Sequence, residues 1–214
     1  MLLVLARRAH PNAAFRRHTI KRIILAALVG VLVSGPVSLA VAGFDEGVAA
    51  YERGDYATAV KEFRAVAEQG APDAQYNLGF MYEDGTGVVQ DYKEAVKWYR
   101  KAADRGHTSA QYNLGFMYDG GKGVVQDYKE AIKWYRTAAE QGHAKAQFKL
   151  GVMYGYGRGV IQDYVQAHTW FNIGAANGYE EAIKNRDIVE EVMTASDISK
   201  AKKLAQEWMA KHQK

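Results

Sequence analysis

A repeat of 36 residues is the feature of this 214-residue chain that most limits its fold. The segment Ala74-Gln-Tyr-Asn-Leu-Gly-Phe-Met-Tyr82 returns unchanged at residues 110–118 and in looser form at residues 146–154. Three of the four tryptophans keep the same spacing. A unit of this length cannot bury its apolar face alone, so neighbouring units have to stack. The repeat therefore predicts a solenoid.

Apolar residues follow a helical period in the first half of each repeat. Ala74, Leu78 and Met81 lie on one face of a helix, and this spacing predicts that the face packs into the core. Gly79 beside them would let another backbone come close. The Gly-x-Gly motif at residues 85–87 breaks the helix and predicts a turn.

The second half of the repeat predicts another helix. Asp91 is a good N-cap, and Glu94 three residues later would complete a capping box. Gly106 suits the C′ position, where a left-handed conformation ends a helix. Asp127 and Asp163 repeat the N-cap. The chain is therefore predicted to be all-α and to consist of stacked helix pairs.

The chain on either side of the repeats keeps part of the pattern. Asp55 and Phe63 stand in register with the second helix of the repeat. Arg186 and Asp187 replace leucine and glycine, as expected for a terminal pair with a polar outer face, and Ser196 is the predicted N-cap of the last helix. About ten helices in five pairs are expected. The predicted segments are a leader at 1–42, a tetratricopeptide-like pair at 43–72, repeats at 73–108, 109–144 and 145–180, and capping helices at 181–214.

These motifs carry a resemblance to a known family. The pattern A-x-x-x-L-G-x-x-Y-x-x-G-x-G-V-x-x-D-x-x-x-A-x-x-W-[YF]-x-x-A-A-x-x-G runs from Ala74 to Gly178 almost without gaps and resembles the Sel1-like repeat, a relative of the tetratricopeptide repeat. The resemblance implies a right-handed α-solenoid that serves as an adaptor or scaffold for other proteins, without a shared catalytic residue. Some members are cysteine-rich and have been described as binding or hydrolysing β-lactams, whereas this chain has no cysteine.

The net charge of +4 is a property of the N-terminus rather than of the repeats. Six of the 28 Lys and Arg residues lie in the first 22 positions, which contain no acid, so residues 43–214 carry 22 bases against 24 acids. A nucleic-acid binder needs a basic patch on its folded body. No nucleic-acid partner is therefore predicted, and the absence of cysteine excludes disulfides and thiolate metal sites.

The N-terminus has the pattern of a secretory signal peptide. An apolar run at residues 23–33 follows the basic region, and Ser34-Gly-Pro36 breaks it. Ala40-Val-Ala42 places small residues at the −3 and −1 positions, which predicts cleavage between Ala42 and Gly43 and a periplasmic or secreted protein. The alternative is a membrane-tethered scaffold with an uncleaved anchor, because no charge interrupts Ile23–Phe44, a segment long enough to span a bilayer.

Reactive residues are scarce, and no enzyme is predicted. The serines after the leader are Ser109, Ser196 and Ser199, and none lies in an S-x-x-K or G-x-S-x-G motif. His107 and His143 occupy the same loop position of consecutive repeats, as architectural residues do. No metal or cofactor is predicted, because the sequence has no H-E-x-x-H or other ligand pair. The alternative from another class is a hydrolase or binder directed at cell-wall material or β-lactams.

The predicted partner site is the face of each first helix that points away from the core stripe. At about 100° per residue, Tyr76, Phe80 and Glu83 lie about 180–240° from Ala74. In the tetratricopeptide architecture that the repeats resemble, these offsets line a concave groove. The prediction is a groove with an aromatic, mildly acidic floor that binds a peptide or protein segment. The alternative is that some of these rings pack against neighbouring helices. The predicted groove residues are Tyr76, Asn77, Phe80, Glu83, Tyr112, Asn113, Phe116, Asp119, Phe148 and Val152.

Overall fold

The structure is a computed structural model that describes residues 36–212. The chain divides into two compact units, Met1–Ser38 and Leu39–Lys214. Residues 36–38 are the described part of the first unit, and residues 39–212 are the described part of the second. Most of the predicted leader, and most of the alternative anchor Ile23–Phe44, lies outside the described residues. Within residues 36–212 no helix combines the length and the apolar character needed to cross a membrane.

Residues 36–212 form ten α-helices and no strand, which confirms the predicted all-α class. The three repeats contribute three pairs of helices, each helix 13 residues long. The helices are α1 Pro36–Arg53, α2 Tyr56–Glu68, α3 Pro72–Asp84, α4 Tyr92–Asp104, α5 Thr108–Gly120, α6 Tyr128–Glu140, α7 Ala144–Tyr156, α8 Tyr164–Ala176, α9 Glu180–Glu190 and α10 Ala195–His212.

Aspartate side chains begin the second helix of each repeat. Asp91 Oδ1 accepts hydrogen bonds from the backbone N–H groups two and three residues later, at 2.9 and 3.1 Å. The aspartates at the same position in the other repeats also cap their helices, so the predicted N-caps are confirmed. The capping box is wrong, because the Asp91 N–H donates to Tyr82 O and the Glu94 carboxylate pairs instead with Lys97.

The Gly-x-Gly turns connect the helices of a pair and also rest on the preceding pair. Gly85 and Gly87 both have a φ of 74°, in the left-handed region that favours glycine. A Cβ on Gly87 would lie 2.7 Å from Tyr56 O at the start of α2. Gly123 packs in the same way on Tyr92, the first residue of α4. Successive turns are therefore held at one edge of the stack.

The core is built from the apolar stripes of both helices of each pair. Leu78 and Leu114 on the first helices are fully buried, which confirms the stripe predicted there, and Tyr99 and Tyr135 on the second helices are fully buried as well. Gly79 makes room for a side chain as well as for the backbone that was expected, since a Cβ there would lie 3.3 Å from Ala95 O of α4. A Cβ on Gly79 would lie 2.8 Å from an atom of the Tyr99 ring.

A repeated contact between arginine and tyrosine joins each pair to the next. Arg64 Nη2 donates to the Tyr82 hydroxyl at 2.6 Å, and Arg136 Nη2 donates to the Tyr154 hydroxyl at 2.7 Å. Arg100 repeats the contact with the tyrosine of α5. Each arginine lies on a second helix and each tyrosine on the first helix of the following pair. The contact therefore fixes how consecutive pairs stack.

At the C-terminal end α9 and α10 both pack on α8. His168 of α8 is fully buried; its Nε2 lies 2.6 Å from Glu190 Oε1 and its Nδ1 lies 2.8 Å from Asn172 Nδ2. Lys202 Nζ of α10 lies 3.4 Å from the same Glu190 oxygen. The hydrogen bond with His168 and the nearby Lys202 ammonium lower the pKa of the Glu190 carboxyl. A polar network thus links the last three helices.

The last helix begins with a cap that differs from the predicted one. Thr194 Oγ1 accepts from the Asp197 N–H at 3.1 Å and donates to the Asp197 carboxylate at 2.7 Å. Ser196 lies inside the first turn of α10, so its predicted role as N-cap is wrong. Trp208 is half-buried, and its ring packs edge-on against Trp170 at 5.6 Å.

A candidate partner-binding surface on the first helices of the repeats

The structure places the ten predicted groove residues on α3, α5 and α7, and every one of them is half-buried. On α3, Leu78 and Met81 of the core stripe are no more than 1% exposed. Each first helix therefore has one buried face and an opposite face that a partner can reach. Binding of a partner at this face stays a prediction.

In each repeat the first predicted groove ring packs against a ring that precedes the next pair; the rings stack in the first two repeats and are tilted by 53° in the third. Tyr76 lies 4.5 Å from the His107 ring at an interplanar angle of 20°. Tyr112 lies 4.7 Å from His143 at 23°, and Phe148 lies 5.0 Å from the tyrosine at the same position of the third repeat. These rings are both packed against neighbours and partly accessible, so their orientations are held before any partner arrives.

The two histidines in these stacks also cap helices. His107 Nδ1 and His143 Nδ1 each accept a hydrogen bond from the backbone N–H three residues later, at 3.1 and 3.2 Å. The architectural role expected from their repeated position is confirmed. Burial, aided by the Lys145 charge, lowers the pKa of His143 to about 4, so its imidazole is neutral at neutral pH. Burial raises the pKa of Tyr76 to about 12, which keeps that phenol neutral as well.

Two carboxylates lie among the rings, and a buried phenol from the second helix holds each of them. The Tyr99 hydroxyl donates to Glu83 Oε2 at 2.6 Å, and the Tyr135 hydroxyl donates to Asp119 Oδ2 at 3.4 Å. Burial raises the pKa of the Glu83 carboxyl, and the Tyr99 hydrogen bond opposes that rise. The predicted acidic residues thus keep oxygen acceptors at fixed positions.

Two lysines outside the predicted set border this surface. Lys122 Nζ lies 5.0 Å and Lys149 Nζ lies 5.6 Å from the centre of the Phe116 ring. Lys149 also lies 3.7 Å from Asp119 Oδ2, so it offsets part of the acidic charge. The sequence signal for Lys149 is its departure from asparagine, which the first two repeats carry at that position.

The third repeat differs from the first two in a correlated way. Gly155 stands at the position of the acid and Phe171 at the position of the phenol that holds it. Because both partners change together, neither a carboxylate nor a hydroxyl is left without its counterpart. The acidic part of the surface is therefore confined to the first two repeats, and the third presents Phe148 and Val152 beside the Lys149 cation.

The groups on this surface suit binding. Carboxylate oxygens accept strong hydrogen bonds from N–H donors, and half-exposed rings supply large contact areas. Within residues 36–212 no three His, Asp or Glu side chains converge as metal ligands do. Ser109 is a half-buried residue in the first turn of α5.

The family profile of the Sel1 repeat matches residues 72–107, 108–143 and 144–179, which together make up half of the chain. This chain belongs to the Sel1 repeat family. Proteins of this family are generally non-catalytic scaffolds that mediate protein–protein interactions. The predicted family and the predicted solenoid are thereby confirmed. A comparison with curated proteins gives no match.

Solved structures support the same assignment. A crystal structure of a Sel1 repeat protein from Oxalobacter formigenes is 36% identical, with a TM-score of 0.64 over 68% of this chain and 60% of that chain. A protective antigen of uropathogenic Escherichia coli strains, which displays an SLR fold, is 34% identical, with a TM-score of 0.58 over 81% of this chain and 46% of that chain. This chain therefore spans less than two thirds of either relative.

Proposed function

We propose that this Sel1 repeat protein is an exported, non-catalytic interaction module that binds a peptide or protein segment along α3, α5 and α7. The observation that carries the proposal is the row of half-buried rings and carboxylates that recurs at the same helical positions. Contacts with the second helices hold these side chains in place, and a surface ordered in advance loses less entropy on binding.

The chemistry of these rings and carboxylates indicates which kind of peptide segment would bind along α3, α5 and α7. Glu83 and Asp119 accept hydrogen bonds from N–H groups or from a basic side chain, and the rings anchor apolar or aromatic side chains. The Phe148 region at the third repeat offers apolar contact without a carboxylate. The preferred segment is therefore basic or polar at one end and apolar at the other.

A pair of substitutions at Asn77 and Asn113 tests this proposal. Asn77→Lys combined with Asn113→Lys places long cations in the groove, and the fold tolerates lysine there because Lys149 occupies the same position in the third repeat. We expect a protein captured from a periplasmic extract by the unchanged bait, which begins at Gly43, to be lost with the double variant.

A matched control adds the same charge elsewhere. Val89 and Val125 are both 88% exposed in the turns, so Val89→Lys with Val125→Lys changes net charge equally without entering the groove. Capture by the control but not by the groove variant, with equal circular dichroism spectra, supports binding along the first helices. Equal capture by all three baits would place the interface elsewhere.

Export is the other part of the proposal. It is supported by the basic N-terminus, the apolar run and the Ala40-Val-Ala42 motif of the sequence.

A further inference from the structure

A surface cavity of about 370 Å³ lies where the end of α2, the following turn, α3 and the end of α4 meet. None of the ten predicted groove residues lines it. Its charged walls are Glu68, Lys101, Asp104 and Arg105, so two cations face two carboxylates. Gln75 of α3, 3% exposed, is also part of the lining.

The second and third repeats each carry a glutamine at the position of Gln75, so the hydrogen bonds of the three side chains can be compared. Gln111 and Gln147 stand at the same position, are equally buried, and donate through Nε2 to a backbone carbonyl just as Gln75 does. Gln111 Oε1 accepts from Gln141 Nε2 at 2.8 Å, and Gln147 Oε1 accepts from Asn177 Nδ2 at 2.8 Å. In both repeats, therefore, a carboxamide N–H satisfies the glutamine oxygen.

The first repeat lacks that carboxamide. Gln75 Oε1 is buried and accepts no hydrogen bond within residues 36–212. Arg105 stands where the second and third repeats have Gln141 and Asn177. Its guanidinium lies beside the turn, with Nη2 3.0 Å from the position of a Cβ on Gly70. A buried carbonyl oxygen without a donor costs about 1–3 kcal/mol, so a group that supplies one is favoured here.

We propose that this cavity binds a carboxamide, and specifically the side chain of an Asn or Gln residue in a peptide partner. The incoming N–H donates to Gln75 Oε1, in the role that Gln141 plays one repeat later. The carboxamide oxygen accepts from Arg105, as the Gln141 oxygen accepts from Thr108 Oγ1 at 2.7 Å. A neutral dipolar group suits walls whose charges balance, and the site is independent of the groove on the first helices.

Nuclear magnetic resonance titration of the full chain tests this assignment. The probes are N-acetyl-glutamine methylamide, free glutamine, and N-acetyl-glutamate methylamide, which has nearly the same shape but carries a carboxylate. We expect the first probe to shift the Gln75 side-chain amide and Arg105 Nε–H signals, and the glutamate probe to leave them in place. A response to free glutamine equal to that of the blocked probe would make a free amino acid the ligand and overturn the peptide assignment.

Two variants exchange the residues that stand beside the buried glutamine oxygen, which are Arg105 in the first repeat and Gln141 in the second. Arg105→Gln supplies the carboxamide from within the chain, so the affinity for the probe should fall about tenfold or more. Gln141→Arg removes the internal donor from Gln111, so a new response should arise at the Gln111 amide. No shift at Gln75 in the unchanged chain, or the same shift in Arg105→Gln, would overturn the proposal.

Discussion

At the residue scale, His143 shows how one side chain serves both the fold and the candidate surface. Its Nδ1 caps α7, and its ring stacks on Tyr112. The cap requires an unprotonated Nδ1, because a protonated nitrogen cannot accept a hydrogen bond. Burial and the Lys145 charge favour the neutral form and lower the pKa of His143 to about 4.

This depressed pKa predicts a loss of stability in mild acid. The unfolded chain takes up a proton near the ordinary His pKa of 6.5, whereas the folded chain takes it up only at about 4. The stability that the lowered pKa of His143 contributes is therefore fully present above pH 6.5 and is lost as the pH falls toward 4. Between pH 7 and pH 4.5 the free energy of unfolding should fall by about 2 kcal/mol for this reason. Urea unfolding at pH 7 and pH 4.5 measures the decline.

The matched variant is His143→Asn, which keeps an N-cap residue and removes the titrating group. Its free energy of unfolding should change less between the two pH values than that of the unchanged chain. The same change in both proteins would show that another group causes the acid sensitivity.

At the scale of the element, two helical glycines at different positions along the first helices have different roles. A Cβ on Gly115 of α5 would lie 2.7 Å from the Tyr135 ring, which is fully buried. A Cβ on Gly155 of α7 would lie 3.6 Å from Ala167 Cβ, at ordinary contact distance. Gly115 is thus required by the packing of α5 on α6, while Gly155 leaves room for a methyl group.

Alanine at these two positions should shift the stability in opposite directions. Gly115→Ala overpacks the contact between α5 and α6 and should lower the free energy of unfolding by about 1–3 kcal/mol. Gly155→Ala should raise it by up to about 1 kcal/mol, because alanine restricts the unfolded chain and favours a helix. Thermal and urea unfolding of both variants provide the measurement. A stabilising Gly115→Ala would refute the packing account.

At the scale of the whole molecule, the predicted cleavage site falls inside a helix. α1 runs from Pro36 to Arg53 and therefore includes both Ala42 and Gly43. A Cβ on Gly43 would lie 3.0 Å from Val66 Cγ2 of α2, so Gly43 belongs to the packed part of the array. Cleavage before Gly43 would shorten α1 by the residues that precede Gly43.

Export with cleavage predicts the mass of the released protein. Protein recovered from the periplasm should begin at Gly43, as determined by N-terminal sequencing and intact mass. Ala42→Arg places a large charged residue at the −1 position, where a small one is needed, and should leave the leader attached. An unchanged chain that keeps its leader, as this variant is expected to do, would favour the membrane-tethered alternative.

The elements of the fold were predictable because their signals are local and occur three times. Leu78 and Met81 mark the buried stripe, and Asp91 and Gly106 mark the ends of the second helix. Each signal depends on the preferences of a residue within one or two helical turns. The capping box failed at Glu94 because the Asp91 N–H found its acceptor, Tyr82 O, in the preceding helix.

By itself, the sequence determined the family, the helix pairs and which face of each first helix turns away from the core. These properties follow from periodicity, which is written along the chain. Only the tertiary structure decided which groups meet across helices: the Tyr99 hydroxyl donates to Glu83, and the Lys149 ammonium lies beside Asp119. It also decided that the buried Gln75 oxygen has no donor within residues 36–212. Such contacts join residues from different helices, and their distances depend on how the pairs stack, which no local pattern encodes.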